Sequence, residues 1–396
     1  MDSPSSPLYQ NTSLVQTSFS IRLLCMKFGK DYKIELLLEV FDMKSSPPFV
    51  ALSYEWGENS TNRSIRLNDY DILIRENLYQ ALASLTVEVR NSASDLQRHT
   101  SPFSALLEHN NRTLFLWVDA LCIDQGCRSE REIQVSNMGQ IYSHAAAVLV
   151  WLGLQDEDSH ELIRCLELQE ENAFKGHCQD LQSALSSILN RSYWSRMWIV
   201  QEIYLAKELY AGCGDHFLQW DSLGDLLDLR SQIGSGDVND LTNTKAWPII
   251  QQRMSRGAEG GRILKRRLDK NIMCFGDREC SDTRDRVYSL LGVSWTDNLL
   301  LVDYSIDNDE LFVRVVNSIN WEDEVWRGST EIQHFGNFVR YLCRSLEVNR
   351  RSTKVQDAVK DIRSRINKEY RKDIASKVAA YPMNVLFPHR GKCVVS

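Results

Sequence analysis

Three short runs without polar alternation constrain this chain most: Phe49-Val50-Ala51-Leu52-Ser53, Leu114-Phe115-Leu116-Trp117-Val118, and Ala147 to Leu152. A strand that is apolar at consecutive positions is buried on both faces, as in a parallel sheet covered by helices. Pro47-Pro48 precede the first run and Gly57 closes it, while Asp119 ends the second and Gly153 the third. Helical spacing fills the gaps. Leu78, Ala81, Leu82 and Leu85 share one face, and so do Val135, Met138, Tyr142 and Ala145, which follow a Ser129 and Glu132 spaced as a capping box. The alternation predicts an α/β doubly wound parallel sheet.

A chain of 396 residues has room for a second domain, and with 43% hydrophobic and 25% charged residues its composition is that of a globular protein. The longest apolar run, Ala145 to Leu154, is about half of the roughly 20 residues that a membrane span requires. The polar N-terminus has no basic-then-apolar leader, so a cytoplasmic chain with no transmembrane segment is expected. Ten cysteines without a C-x-x-C pair fit free thiols in a reducing compartment. No metal site is expected, because Cys213 and His216 have ligand-like spacing but no second pair.

Residues 1–20 are rich in Ser, Thr, Pro, Gln and Asn and are expected as a disordered arm. The α/β domain is placed at 21–215, a linker with short helices at 216–262, and a mainly helical C-terminal region at 263–396. In that region Asp282 is positioned to cap a helix that buries Val287, Leu290 and Leu291, and Val355, Val359, Ile362, Ile366 and Tyr370 form one stripe. Residues 340–377 hold 12 Lys/Arg against 5 Asp/Glu, leaving −14 of the net −7 elsewhere. The acidic main domain and the lack of a recognised reading module argue against nucleic acid as a partner.

In an open parallel sheet, ligands bind beyond the carboxyl ends of the strands. Tyr54-Glu55-Trp56-Gly57-Glu58 follows the first strand and Asp119 to Gln125 the second, bringing carboxylates and aromatics to one rim. Core packing is the commoner fate of a Trp such as Trp56 or Trp117, and a helix cap or a loop-fixing hydrogen bond accounts for Asp119 as well as a functional role does. Tyr193 to Ala206 reads as one helix apolar on nearly every face, with Glu202 on the side of Trp194, Trp198 and Leu205. A carboxylate there is paired, carries a raised pKa, or is functional, and an ion pair with an arginine explains it as well as catalysis does. No G-x-G-x-x-G or Walker motif opens a helix after a strand, and Cys122 with His144 or His216 reads better as a buried thiol than as a hydrolase.

Taken in order, these strings resemble the heterokaryon incompatibility (HET) domain of filamentous fungi. Ala51 to Gly57 is similar to its opening motif, Leu116 to Gln125 to its Trp-Ile-Asp-Ala-x-Cys-Ile-Asn-Gln motif, and Arg196 to Glu202 to its closing motif, with core motifs over 50–206. Asp124 stands where the family more often has Asn, which turns a possible donor into a pure acceptor. The resemblance implies non-self recognition and triggered cell death, through self-association or an incompatibility partner protein. The family is distantly similar to Toll/interleukin-receptor (TIR) domains, which implies a TIR-like, flavodoxin-like sheet. Glu202 falls on the glutamate that serves catalysis in NAD-cleaving TIR members. Implied site residues are Glu202 as catalyst and Tyr54, Trp56, Gly57, Asp119, Asp124, Gln125 and Trp198 as substrate rim, with NAD as substrate and no cofactor. A non-catalytic signalling module remains the alternative.

Overall fold

All three apolar runs are strands of one sheet. In the computed structural model the chain divides into two units, Met1–Ile263 and Leu264–Ser396. The structure describes residues 6–14, 19–28, 34–58, 62–94, 103–109, 112–157, 159–160, 178–220, 243–258, 265–321 and 329–369. The strands of the first unit are β1 (Ser20–Phe28), β2 (Ile34–Asp42), β3 (Val50–Tyr54), β4 (Asn62–Leu67), β5 (Tyr70–Arg75), β6 (Thr113–Trp117), β7 (Ala147–Trp151), β8 (Glu208–Cys213) and β9 (His216–Gln219). Seven of them form a sheet in the order β2-β1-β6-β3-β7-β8-β9, and β4 pairs with β5 as a separate hairpin.

The strands β6, β3, β7 and β8 run parallel. Every residue of β3 and β7 is buried, as their uninterrupted apolar sequences require. The sheet as a whole is mixed, which corrects the expectation of a fully parallel one. β1 pairs antiparallel with both β2 and β6, and β9 pairs antiparallel with β8. Connection length explains these edges: five residues separate β1 from β2, and two separate β8 from β9, where a parallel crossover needs a dozen or more. Gly214, at φ +57°, supplies the left-handed turn between β8 and β9.

Taken in chain order, the four parallel strands lie in space as second, first, third, fourth. The chain steps from β3 to β6 on one side and then crosses back to β7 on the other. Such a reversal is a topological switch point, and the crevice it opens lies outside the carboxyl ends of β3 and β7.

Two local expectations fail. Residues 7–11 of the expected disordered arm form a helix, Pro7–Asn11, that buries Leu8. Its Tyr9 hydroxyl donates to the Leu121 carbonyl at 3.2 Å. The capping box is also not made: the helix Arg128–His144 begins before Ser129, with Cys127 at its N-cap. Glu130 takes the binding role instead, accepting from Arg22 and from the Asp124 backbone N–H at 2.7 Å. Part of the expected linker is β9, the last strand of the sheet, and part is the helix Trp247–Ala258. Most of its glycine-rich stretch lies outside the described residues.

The second unit is helical, with Leu268–Phe275, Asp285–Tyr288, Asn308–Asn317, Ser329–Ser345 and Thr353–Glu369, together with one parallel pair between Arg266–Arg267 and Ser294–Trp295. Val355, Val359, Ile362 and Ile366 are buried as their stripe predicts, and Tyr370 lies outside the described residues. Asp282 accepts from the Arg284 backbone N–H at 3.0 Å at the start of the short helix Asp285–Tyr288, and Val287 and Leu290 are buried beyond it.

Candidate functional site

The loop after β3 and the loop after β6 meet at the carboxyl edge of the sheet. Trp56 Nε1 donates to Asp119 Oδ2 at 2.8 Å, and Asp119 Oδ1 accepts from the Ala120 backbone N–H at 2.7 Å. The Arg75 guanidinium lies over the Trp56 ring, 5.1 Å from its centroid. Gln125 Nε2 returns to the Asp119 carbonyl at 2.9 Å, so Tyr54, Trp56, Asp119 and Gln125 form one cluster. Burial raises the Asp119 carboxyl above the ordinary carboxylate range, against the pull of Arg196 and of the Trp56 and Tyr54 hydrogen bonds.

Tyr193 to Ala206 is not one helix. A 3₁₀ turn, Ser192–Ser195, is followed by Arg196 in extended conformation (φ −65°, ψ 140°), and the α-helix Ile199–Leu205 begins after it. A segment buried on all sides carries no periodicity to betray such a break. The break turns Trp194 away from Glu202: its indole packs against Tyr193 and Trp220 and donates to the Ile188 carbonyl at 2.7 Å. Glu202 meets polar groups. Ser53 Oγ donates to Glu202 Oε2, Tyr193 Oη lies 2.6 Å from Ser53 Oγ, and Arg196 Nη1 is 3.7 Å from Glu202 Oε2.

Glu202 is 1% exposed, and burial pushes its carboxyl up to about 7, against the lowering effects of Arg196 and Ser53. Arg196 feels both Glu202 and Asp119, so the guanidinium links the two carboxylates, while its Nη1 makes no hydrogen bond. Burial likewise raises Tyr54 and Tyr142.

A cavity of about 660 Å³ opens where the switch point predicts one. Its lining includes Glu55, Gly57, Glu58, Trp151, Asp156, Arg191 and Tyr193. Asn77 ties its floor together, donating to the Glu55 carbonyl and accepting from Trp151 Nε1 at 2.9 Å. Arg191 forms a fixed wall, donating to the Leu152 carbonyl at 2.8 Å and pairing with Asp156 at 3.1 Å. Although burial opposes it, hydrogen bonds from Ser159 and the Arg191 charge hold Asp156 down at about 2. Gly153 reaches φ +98° at this wall, a conformation glycine adopts without strain.

The structure brings together Tyr54, Trp56, Asp119, Gln125 and, through Arg196, Glu202; Gly57 lines the cavity. Asp124 belongs to the turn before the helix Arg128–His144, where Oδ1 accepts from Gly126 N at 3.0 Å and Oδ2 is buried without a hydrogen bond. Trp198 is half-buried at the N-cap of the helix Ile199–Leu205. Neither these two residues nor Glu202 lines the cavity. Ser53, Tyr193 and Arg191 join the candidate site in the structure, and the sequence reading did not single them out. The one signal for Ser53 was a hydroxyl at the end of an otherwise apolar strand. Among the described residues, no group of three or more His, Cys, Asp or Glu is placed to hold a metal ion, and no helix is long and apolar enough to cross a membrane.

A mixed α/β sheet with this carboxyl-edge cluster accompanies a match of residues 49–202 to the family described as Heterokaryon incompatibility protein (HET). The matched segment is similar to that family, and Ser53, Tyr193, Arg196 and Glu202 all lie inside it. Over 93% of its length it is 23% identical to Heterokaryon incompatibility protein 6, OR allele, of Neurospora crassa, and it spans 61% of that relative's length. No solved structure matches it.

Proposed function

We propose that this chain acts in heterokaryon incompatibility, the process named for its Neurospora relative, and that its HET domain triggers cell death by cleaving NAD at the switch-point cavity. The observation that carries this reading is the position of Glu202, a carboxylate of high proton affinity directly behind the wall of that cavity. The parallel strand order is that of flavodoxin-like sheets, which TIR domains resemble. In the reaction the bond between ribose C1′ and the nicotinamide nitrogen breaks, its electron pair leaving with nicotinamide. Water adds to C1′ and loses a proton, giving ADP-ribose. An ionised Glu202 favours the cationic ribosyl centre that develops on the way. The cavity lining also carries the carboxylates of Glu55 and Glu58, a chemistry that suits the cationic nicotinamide end of NAD. NAD is here a substrate, and no cofactor is invoked.

A second reading has its own observation. At 1% exposure, with Ser53 and Arg196 as partners, Glu202 is also placed as a purely structural group, the domain then signalling by assembling with itself or with an incompatibility partner. Nicotinamide release from NAD by the full chain, measured dilute and artificially clustered, separates the two. Release in either state supports cleavage, and none in both supports assembly alone.

A further inference from the structure

Tyr193 connects the cavity to Glu202 through Ser53. Tyr193 lines the cavity, is 1% exposed, and packs edge-on against Trp194 with ring centroids 5.2 Å apart. Arg191 and Ser192 line the cavity beside it, and Ser192 Oγ donates to the Glu55 carboxylate. Ser53 has a single hydroxyl proton, which it gives to Glu202. Its oxygen therefore accepts from Tyr193, and the chain runs from Tyr193 O–H to Ser53 O–H to the Glu202 carboxylate, each donor strengthening the next. When Glu202 takes up a proton, the direction reverses: Glu202 donates to Ser53 and Ser53 to Tyr193, with no heavy atom displaced. Tyr193 sits on the 3₁₀ turn and Glu202 on the helix after it, with extended Arg196 between them, so the two side chains belong to separate elements.

We propose that Tyr193 is the positioning residue between cavity and carboxylate. Its ring closes the cavity on the Glu202 side, its hydroxyl holds Glu202 through Ser53, and a ligand that swings Tyr193 from its seat both reaches Glu202 and releases it. The inference deepens the proposed function and rests on that reading for the ligand, while its two structural parts are tested without any activity.

The probe is a water-soluble carbodiimide with glycinamide, applied to the full folded chain and read as labelled Glu202 by peptide mass spectrometry. Removing the ring in Tyr193→Ala opens Glu202 to the cavity, and labelling rises by at least about ten-fold over wild type, in line with the change from a closed to an open site. Tyr193→Phe keeps the ring, so labelling stays at the wild-type level. It loses the first donor of the chain, however, and the titration midpoint of Glu202, followed by its ¹³C carboxyl signal and assigned by its loss in Glu202→Gln, moves up by about 0.5–1 pH unit. If circular dichroism shows Tyr193→Ala unfolded, the Tyr193→Phe midpoint decides. A folded Tyr193→Ala that labels Glu202 no faster than wild type overturns the proposal, as does a Tyr193→Phe midpoint that is unchanged or lower. A chain that releases no nicotinamide yet passes these tests refutes the NAD reading and leaves the role of Tyr193 standing.

Discussion

The Trp56 indole N–H donates to the Asp119 carboxylate at 2.8 Å, joining the loop after β3 to the loop after β6 across 63 residues of sequence. Trp56→Phe keeps a ring beneath Arg75 and deletes only the donor, leaving a carboxylate that burial already disfavours with one partner fewer. The expected cost is about 1–2 kcal/mol, read as a lower urea midpoint at unchanged m value.

Arg22 is the largest charged group in the sheet core. It is 1% exposed and binds Glu130 through both guanidinium termini, with its Nε on the Thr12 carbonyl at 2.7 Å. Arg22→Met should cost about 3–5 kcal/mol, because it strands Glu130 and frees the helix Pro7–Asn11 that the arginine anchors. Pairing it with Glu130→Met should recover part of that loss, and a double-mutant cycle by urea unfolding measures how much.

Stability should depend on pH through Glu202. Its carboxyl is raised from an ordinary 4.5 to about 7 in the folded chain, so the folded state binds the proton more tightly than the unfolded one. That contribution is fully present below pH 4.5 and is lost as pH rises through about 7, an expected total of about 3 kcal/mol. Subtracting the pH–stability curve of Glu202→Gln from that of wild type should give a difference that falls with pH across this window and is flat above it. A flat difference throughout would mean that the carboxylate is as well solvated in the fold as in the unfolded chain.

The parallel core was readable because burial on both faces writes itself into consecutive apolar residues, as in Val50 to Leu52 and Ala147 to Trp151. The antiparallel edges were less so. Arg22 interrupts β1 with a charge whose partner lies 108 residues away, and no local pattern announces a buried arginine that is satisfied at such a distance. The rim loops were legible as Trp56, Asp119 and Gln125, whereas the immediate surroundings of Glu202 were not. Those depend on the break at Arg196, which a segment apolar on every side conceals, and on Ser53, whose partners come from the distant 3₁₀ turn and the helix after it.

The central claim is that Glu202 works from behind the cavity, and nicotinamide release by wild type and Glu202→Gln, with melting temperatures taken on the same preparations, tests it most directly. Glutamine keeps the size of the side chain and a polar partner for Ser53, but it carries no charge to favour a ribosyl cation. The account predicts release by wild type and a loss of at least about 10²-fold in the variant, with melting temperatures within a few degrees of each other. A folded Glu202→Gln that releases nicotinamide as fast as wild type would contradict it.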